Sequence, residues 1–219
     1  MASEPDLVLA SASPRRRELL ERLGLVLLVL PADVDETPRP GERPADYARR
    51  IAAAKCDAVA DAREASPPLA VVGADTTVIV DDQILGKPAD DDDARAMLMR
   101  LAGRRHDVTT AYRARHGARS LERSVTTSVS FRALQTAEID AYLVSGEWRG
   151  KAGGYAVQGL AGTFVVKMVG SYSNVVGLPL YESMSLLGGG EAGAHAGERL
   201  GDLLAAGHGR SAAPNPGGG

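Results

Sequence analysis

The hydrophobic positions of the chain fall into short aliphatic runs separated by stretches in which apolar residues recur with helical spacing. Residues 7–10 form the first run, and leucines then recur with helical spacing over 19–23. This pattern predicts a strand, a turn and a helix. Ser13 is expected at the N-cap of that helix and Pro14 at its first position, where the missing N–H of proline costs nothing.

The alternation of strands and helices continues to residue 187. Strands are predicted over 25–30, 69–72, 78–80, 83–85, 106–115, 120–134 and 163–169, and helices over 45–65, 91–102, 136–145 and 180–187. Such alternation is typical of one α/β domain, which we assign to residues 1–187. Residues 188–219 hold 11 of the 25 glycines, so we expect them to form a Gly-rich, flexible C-terminal tail.

Composition and charge narrow the classes of function. Apolar residues make up 44% of the chain, but no apolar run approaches the ~18 residues that cross a bilayer. The formal net charge of −3 gives no overall attraction to nucleic acid polymers or to an anionic membrane. The single cysteine, Cys56, excludes an intramolecular disulfide and fits a reducing compartment, so we expect a cytoplasmic protein.

The turn at residues 11–16 has the composition of a phosphate-binding site. Its sequence, Ser-Ala-Ser-Pro-Arg-Arg, places hydroxyls and guanidiniums at the start of a helix, where backbone N–H groups and the helix dipole favour anions. Arginines at a helix N-terminus oppose the dipole and need another reason to be there. We interpret Ser11, Ser13, Arg15 and Arg16 as a phosphate cradle; a solvated helix end is the alternative.

Asp75 is the first candidate for catalysis. It follows the apolar run at 69–72, and we expect it at the carboxyl end of that strand, the edge at which open α/β sheets bind ligands. There it would act as a metal ligand or general base, the alternative being a carboxylate in a local turn. A haloacid-dehalogenase-like phosphatase would carry a second acid two residues later, but that position holds Thr77.

Three further polar residues leave two interpretations open. Lys55 lies on the apolar side of the helix predicted over 45–65, from which its ammonium either reaches the surface or enters a cleft. Lys87, like Lys151, follows a glycine without the other residues of a P-loop, so it is either solvent-exposed or a single charge on a phosphate. Gln158 is either a turn residue or an amide that meets the edge of a nucleobase.

An acidic loop, rich in proline, offers ligands for a metal ion. Its carboxylates are Asp33, Asp35 and Glu36. A phosphate site usually needs Mg²⁺ or Mn²⁺ held by one or two carboxylates, whereas many acidic runs are only solvated. We expect a divalent metal cation, Mg²⁺ or Mn²⁺, as the cofactor.

The order of these motifs resembles that of the Maf-like nucleoside triphosphate pyrophosphatases. The resemblance covers roughly residues 6–187 and consists of LASASPRR at 9–16, GADT at 73–76, LGKP at 85–88, GRRHDVTT at 103–110, KAGGY at 151–155, VQG at 157–159 and SNVVGLP at 173–179. It implies an α/β fold of the kind shared with inosine triphosphatases, in which helices flank a mixed, twisted sheet with a deep central cleft. It also implies a cytoplasmic enzyme that uses a divalent metal and often forms a homodimer.

The reaction implied by this resemblance is hydrolysis of a nucleoside triphosphate to the monophosphate and pyrophosphate. The specificity positions of the branch that acts on dTTP and UTP match Arg15, Thr76 and Gln158, so these nucleotides and modified pyrimidine analogues are the expected substrates. Two alternatives remain. One is hydrolysis of inosine or xanthosine triphosphate, and the other is a nucleotide-binding regulator of cell division that inhibits septum formation.

The resemblance also implies roles within the site. Asp75 is the expected proton acceptor, and Glu36, Lys55 and Lys87 complete the catalytic group. Asp75 and Glu36 are expected to hold the metal ion. The residues expected to bind the substrate are Ser11, Ser13, Arg15, Arg16, Thr76 and Gln158.

Overall fold

The structure, a computed structural model, describes residues 4–63 and 69–187. Its strands are β1 (Leu7–Leu9), β2 (Leu27–Val29), β3 (Ala70–Val80), β4 (Gln83–Leu85), β5 (Arg105–His116), β6 (Arg119–Phe131) and β7 (Val165–Val169). Its α-helices are α1 (Pro14–Glu21), α2 (Pro44–Asp61), α3 (Asp91–Leu101), α4 (Thr136–Ser145), α5 (Tyr172–Val176) and α6 (Leu180–Leu187). Among these helices none is both long enough and apolar enough to span a bilayer.

The strands form one mixed sheet, as predicted. Their order is β2-β1-β3-β5-β6-β7, and β4 also pairs with β3. β1 runs parallel to β2 and to β3, whereas every pairing from β3 through β5 and β6 to β7 is antiparallel. Helices and short 3₁₀ turns flank this sheet, so the predicted α/β class is confirmed.

β3 is longer than the sequence pattern predicted. The runs predicted at 69–72 and 78–80 belong to one strand of 11 residues, and Asp75 lies in its middle. The prediction that Asp75 follows the end of a strand is therefore wrong. The strand continues through this polar stretch because β5 pairs with β3 along it, with Asp75 opposite Ala111. An antiparallel partner satisfies the backbone whatever the side chains are.

Among the described residues, one edge of β3 has no partner strand along its middle. β1 pairs with β3 only as far as Leu9 opposite Val72, and β4 pairs from Val78 onward. Between these two pairings β3 is joined only to β5, on its opposite edge. This interruption in the sheet, over residues 73–77, is called the edge gap below.

The two faces of β3 at the edge gap are covered by different helices. α2 packs on the face that carries Gly73 and Asp75, and a β-carbon at Gly73 would lie 2.5 Å from the backbone nitrogen of Cys56 and 2.6 Å from the carbonyl oxygen of Ala52. The other face, which carries Ala74, packs with buried side chains of α1 and α5. This division follows from strand geometry, in which successive side chains point to opposite faces.

Several boundaries differ from the sequence-based expectation. Ser13 occupies the N-cap of α1, but its side chain makes no capping hydrogen bond. The strand predicted over 25–30 is shorter, and the short helix α5 was not predicted. The hairpin turn at Asp81 and Asp82 is as expected, and both residues have the positive φ angles of a two-residue turn. The predicted tail, 188–219, lies outside the described residues.

The contact at Gly73 predicts a cost for any side chain there. In Gly73→Ala the new methyl group must push α2 away from β3, and we expect a fall in the free energy of unfolding of about 1–3 kcal/mol, as for overpacked cores. Urea denaturation measures this change. Gly86→Ala is the matched control, since a β-carbon at Gly86 meets nothing within 4 Å. Equal stabilities of the two variants would contradict the close packing.

A buried histidine makes stability depend on pH. His106 is buried against Phe131 and its Nε2 atom bonds to the hydroxyl of Tyr155 at 2.8 Å. Burial outweighs the attraction of Asp107 and lowers the pKa of His106 from 6.5 to about 4. Between these two values the unfolded chain binds a proton that the folded chain does not.

Stability should therefore fall as the pH drops from 6.5 towards 4, by about 2–3 kcal/mol in total. Urea midpoints across this range measure the loss. His106→Gln retains a group that can bond to Tyr155 but does not titrate, and it should show a shallower dependence. An unchanged slope in this variant would exclude His106 as its source.

Candidate active site

A cleft of about 420 Å³ opens at the edge gap. Its lining includes the turn and first residues of α1, polar residues of α2 and β3, and most residues of the segment 149–158. Its volume lies in the range that holds a small molecule. The cleft brings together the residues assigned to catalysis, substrate and metal: Ser11, Ser13, Arg15, Arg16, Glu36, Lys55, Asp75, Thr76, Lys87 and Gln158. Asp33 and Asp35, the other two carboxylates of the acidic loop, are not among its lining residues, and Asp35 accepts from the backbone N–H of Thr37 at 2.9 Å.

Four charged residues form a chain of ion pairs on the α2 side of the cleft. The Nζ atom of Lys55 lies 2.9 Å from Oδ1 of Asp75 and 2.6 Å from Oε1 of Glu36. Lys87 reaches the same carboxylate, with its Nζ 3.2 Å from Oε2 of Glu36. Lys55 is buried and points into the cleft, which decides between the two interpretations of its position.

Glu36 is held by more than its ion pairs. The hydroxyl of Tyr47 donates to the backbone oxygen of Glu36 at 2.9 Å, and Arg50 donates to the next carbonyl, of Thr37, at 3.0 Å. Burial alone would raise the pKa of Glu36, but Lys55 and Lys87 outweigh it and lower that pKa below its usual value. The side chain is therefore an ionised carboxylate with a fixed position.

Arg16 occupies the other side of the cleft and is 7% exposed. Its guanidinium donates to the Ser11 hydroxyl at 2.9 Å, to the Thr76 hydroxyl at 3.0 Å and to the carbonyl of Gly177 at 2.8 Å. Burial is the main cause that lowers its pKa, with Asp75 acting in the opposite direction. A guanidinium has five N–H groups, so these three bonds leave donors for a ligand.

The remaining substrate-binding candidates line the same cleft. Arg15 is half-buried and donates through Nε to the carbonyl of Val176 at 3.1 Å. The backbone N–H of Ser13 donates to the Ser11 hydroxyl at 3.3 Å, which tightens the turn before α1. Gln158 is exposed and lines the cleft together with its neighbours in the segment 149–158.

Sequence reasoning missed three residues that belong to this region. Arg149 and Lys151 line the cleft, and burial together with nearby Arg15 lowers the pKa of Lys151. Tyr47 was assigned to an apolar helix stripe, although its hydroxyl holds Glu36. The glycine spacing excluded a P-loop at Lys151 but did not predict that this lysine lines the cleft. A tyrosine within an apolar stripe carries no signal for the partner of its hydroxyl.

The carboxylates of the cleft fit a divalent metal ion. Glu36 and Asp75 both contact the Nζ atom of Lys55, so one position of positive charge already lies within reach of both. Mg²⁺ and Mn²⁺ favour oxygen ligands, and Mg²⁺ commonly takes one or two carboxylates together with substrate phosphates. Within 4–63 and 69–187, no group of three or more His, Cys, Asp or Glu side chains could hold an ion. The donors therefore fit an ion shared with a phosphate-bearing ligand.

Comparisons with known proteins identify the family of the chain. The family model described as "Maf-like protein" matches residues 6–189. The "dTTP/UTP pyrophosphatase" of Cereibacter sphaeroides is 52% identical over 182 residues, which cover 83% of this chain and 93% of that protein. The proteins of the same name from Bradyrhizobium diazoefficiens and Anaeromyxobacter dehalogenans are 52% and 51% identical, covering 86% and 84% of this chain and 93% of each relative.

Solved structures offer a more distant likeness. The Staphylococcus aureus Ham1 protein aligns with a TM-score of 0.42 and 17% identity, over 57% of this chain and 71% of that chain. Such a value is too low to support an inference about fold or activity. The family model and the sequence relatives are sufficient to assign the family, because each match covers more than four-fifths of the chain. The chain belongs to the Maf-like family.

Proposed function

We propose that this protein hydrolyses nucleoside triphosphates, with dTTP and UTP preferred, to the nucleoside monophosphate and pyrophosphate. Relatives at 51–52% identity carry the name dTTP/UTP pyrophosphatase, which supports this assignment. The observation that carries the proposal is the charge inside the cleft.

Positive charge is concentrated in the cleft although the chain as a whole is acidic. The residues that line it include two carboxylates, Glu36 and Asp75, and six cationic side chains, Arg15, Arg16, Lys55, Lys87, Arg149 and Lys151. The formal net charge of the chain is −3. An excess of one sign of charge in a cleft focuses its field on ligands of the opposite sign, and a triphosphate is a small polyanion. The anion is therefore attracted locally.

Asp75 is the proposed proton acceptor. Its Oδ1 atom is bonded to Lys55 at 2.9 Å, while its Oδ2 atom has a longer contact, 3.4 Å, with the hydroxyl of Thr77. Lys55 fixes the orientation of the carboxylate, and Oδ2 takes the proton of a water molecule. The water oxygen then bonds to the α-phosphorus, and the bond from this phosphorus to the departing pyrophosphate breaks.

Cations from both sides of the cleft stabilise the leaving group. Negative charge accumulates on pyrophosphate as the bond breaks, and preorganised donors lower the energy of that state. Arg16 has unused N–H groups, and Lys87 carries an exposed ammonium. The N-terminus of α1, with the hydroxyls of Ser11 and Ser13, adds the donors that favour a phosphate.

Glu36 and Asp75 are the proposed ligands of Mg²⁺ or Mn²⁺. When bound, such an ion supplies positive charge to phosphate oxygens and lowers the pKa of a coordinated water. Lys55 and Tyr47 hold Glu36 in position from the side chain and from the backbone, respectively.

Arg15, Thr76 and Gln158 are the proposed specificity positions. Uracil and thymine present two carbonyl oxygens on either side of an N–H group, which an amide and a guanidinium can match. The names of the relatives favour these bases over inosine or xanthosine, and favour turnover over a purely regulatory role in cell division. A cytoplasmic location and a homodimer, with no nucleic acid polymer or membrane as partner, remain part of the proposal.

Removal of the proposed proton acceptor should slow the reaction strongly. We expect Asp75→Asn to lower the rate of pyrophosphate release by about 10²–10⁴, the usual contribution of a general base. Asp107→Asn changes a strand carboxylate outside the cleft, bonded to Ser128, and should retain activity. Both variants are checked for folding by urea denaturation. A rate in Asp75→Asn close to that of the wild type removes Asp75 from this role.

A panel of nucleotides tests the substrate and the metal together. With Mg²⁺ or Mn²⁺, dTTP and UTP should give kcat/KM at least about tenfold above inosine and xanthosine triphosphates, with pyrophosphate rather than orthophosphate as the product. EDTA should abolish turnover. A preference for inosine triphosphate would contradict the pyrimidine assignment, and binding of dTTP without any product would favour a regulator.

A further inference from the structure

Two of the arginines that line the cleft, Arg15 and Arg16, are held by the carbonyl oxygens at the end of α5. Arg15 donates to Val176 and Arg16 donates to Gly177, each through Nε, at 3.1 Å and 2.8 Å. Gly177 has φ of +136°, a value that side chains rarely adopt, so this carbonyl is presented by a conformation suited to glycine. The position of α5 therefore determines where both guanidiniums point.

α5 is too short to be stable alone and is fixed to the sheet by a buried asparagine. Asn174 is fully buried, and its Nδ2 atom donates to the carbonyl of Val108 at 2.9 Å and to the hydroxyl of Thr127 at 3.0 Å. The Thr127 hydroxyl in turn lies 3.1 Å from the carbonyl of Ser171, the residue that precedes α5. Strands β5 and β6 thus hold the helix through polar contacts.

Thr110 joins this anchor to the arginine. Its hydroxyl, 0% exposed, donates to the backbone oxygen of Asn174 at 3.0 Å and lies 2.9 Å from the hydroxyl of Thr76. Thr76 accepts from Arg16 at 3.0 Å, and its own proton has two acceptors in reach, the Thr110 hydroxyl at 2.9 Å and the carbonyl of Gly177 at 3.4 Å. Because the proton of Thr110 goes to Asn174, both routes run from the guanidinium to the backbone at α5.

We propose that Thr110 is a positioning residue for substrate binding, which sets the pose of Arg16 through Thr76 and that of Arg15 through α5. The inference rests on the proposed function, since it assigns the nucleotide as the ligand of both arginines. It gives Thr76 an indirect part in specificity, because its hydroxyl bonds to Arg16 and Thr110.

Valine has nearly the shape of threonine, so Thr110→Val keeps the volume and removes only the hydroxyl. Its loss leaves the buried backbone oxygen of Asn174 and the Thr76 hydroxyl without this partner, which costs stability whatever the network does for the cleft. Stability alone therefore cannot separate a structural role from a positioning role, and a measurement of binding is needed beside it.

The test compares two adjacent threonines of β5. Thr110→Val removes the hydroxyl that links α5 to Thr76. Thr109→Val is the matched control, because Thr109 is also buried and its hydroxyl bonds to Thr126 on β6 at 2.8 Å, with no link to an arginine. Urea midpoints, KM and kcat for dTTP, and the Kd of a non-hydrolysable dUTP analogue are measured for each.

We expect both variants to lose similar stability, while only Thr110→Val raises KM and Kd, by about three- to tenfold. Its kcat should stay within about twofold, because Asp75 lies on the other face of β3. Thr110→Ser should restore wild-type binding. A KM in Thr110→Val no higher than in Thr109→Val, or a serine variant that binds as poorly as valine, would overturn the proposal.

Two further outcomes keep the test informative. If Thr110→Val does not fold, Thr110→Cys retains the volume with a weaker donor and should give a KM above that of the serine variant; a wild-type KM would then overturn the inference. If the wild-type protein binds the analogue but releases no pyrophosphate, the proposed hydrolysis fails, and the Kd values still decide the role of Thr110.

Discussion

The site depends on the edge gap in the sheet, the stretch of β3 that neither β1 nor β4 covers. Strand geometry sends the side chains of Asp75 and Thr76 to opposite faces, and an uninterrupted sheet would separate them into two unconnected layers. Where the neighbouring strand is missing, a single cleft reaches both faces. Antiparallel pairing with β5 keeps the backbone rigid on the other side. The gap thus combines access with precision.

The two faces divide the work of the site. On the α2 side, Glu36, Lys55, Asp75 and Lys87 balance one another, so this group is neutral as a whole. On the other side, Arg16 is bonded to hydroxyl and carbonyl oxygens instead of carboxylates, so its charge is not cancelled by an ion pair. A neutral group with two carboxylates suits proton transfer and metal binding, whereas an uncancelled cation suits an anionic substrate. Residues next to each other in sequence therefore serve different tasks.

Much of the fold could be predicted from local pattern. The strand, turn and helix at the start of the chain and the hairpin at Asp81 are governed by capping, turn geometry and periodicity, which are local. The position of Asp75 within β3 could not be predicted in this way, because its polar stretch is stabilised by pairing with β5. The partner of Asp75 is Ala111, which lies 36 residues later in the sequence. The local strand propensity of these residues does not indicate so distant a partner.

Whether a site residue could be found from the sequence depended on how much it differs from an ordinary core residue. Charged residues beside glycine and proline, such as Lys87, are conspicuous in sequence. Tyr47 and Thr110 resemble ordinary core positions, and their part is visible only when the partners of their hydroxyls are known. The order of the motifs along the chain indicated the family, but the polar contacts beneath the cleft are visible only in the structure.

The location of Asp75 inside a strand also bears on how the sequence can change in length. Insertion of one residue upstream in β3 would exchange the faces of all the following side chains, so the carboxylate would turn from Lys55 towards Arg16. Glu36 lies on a loop, where no strand register ties the length of the chain to the direction of its side chain. An insertion in the loop of Glu36 therefore does not by itself reverse the direction of that carboxylate, whereas the direction of Asp75 depends on the register of β3.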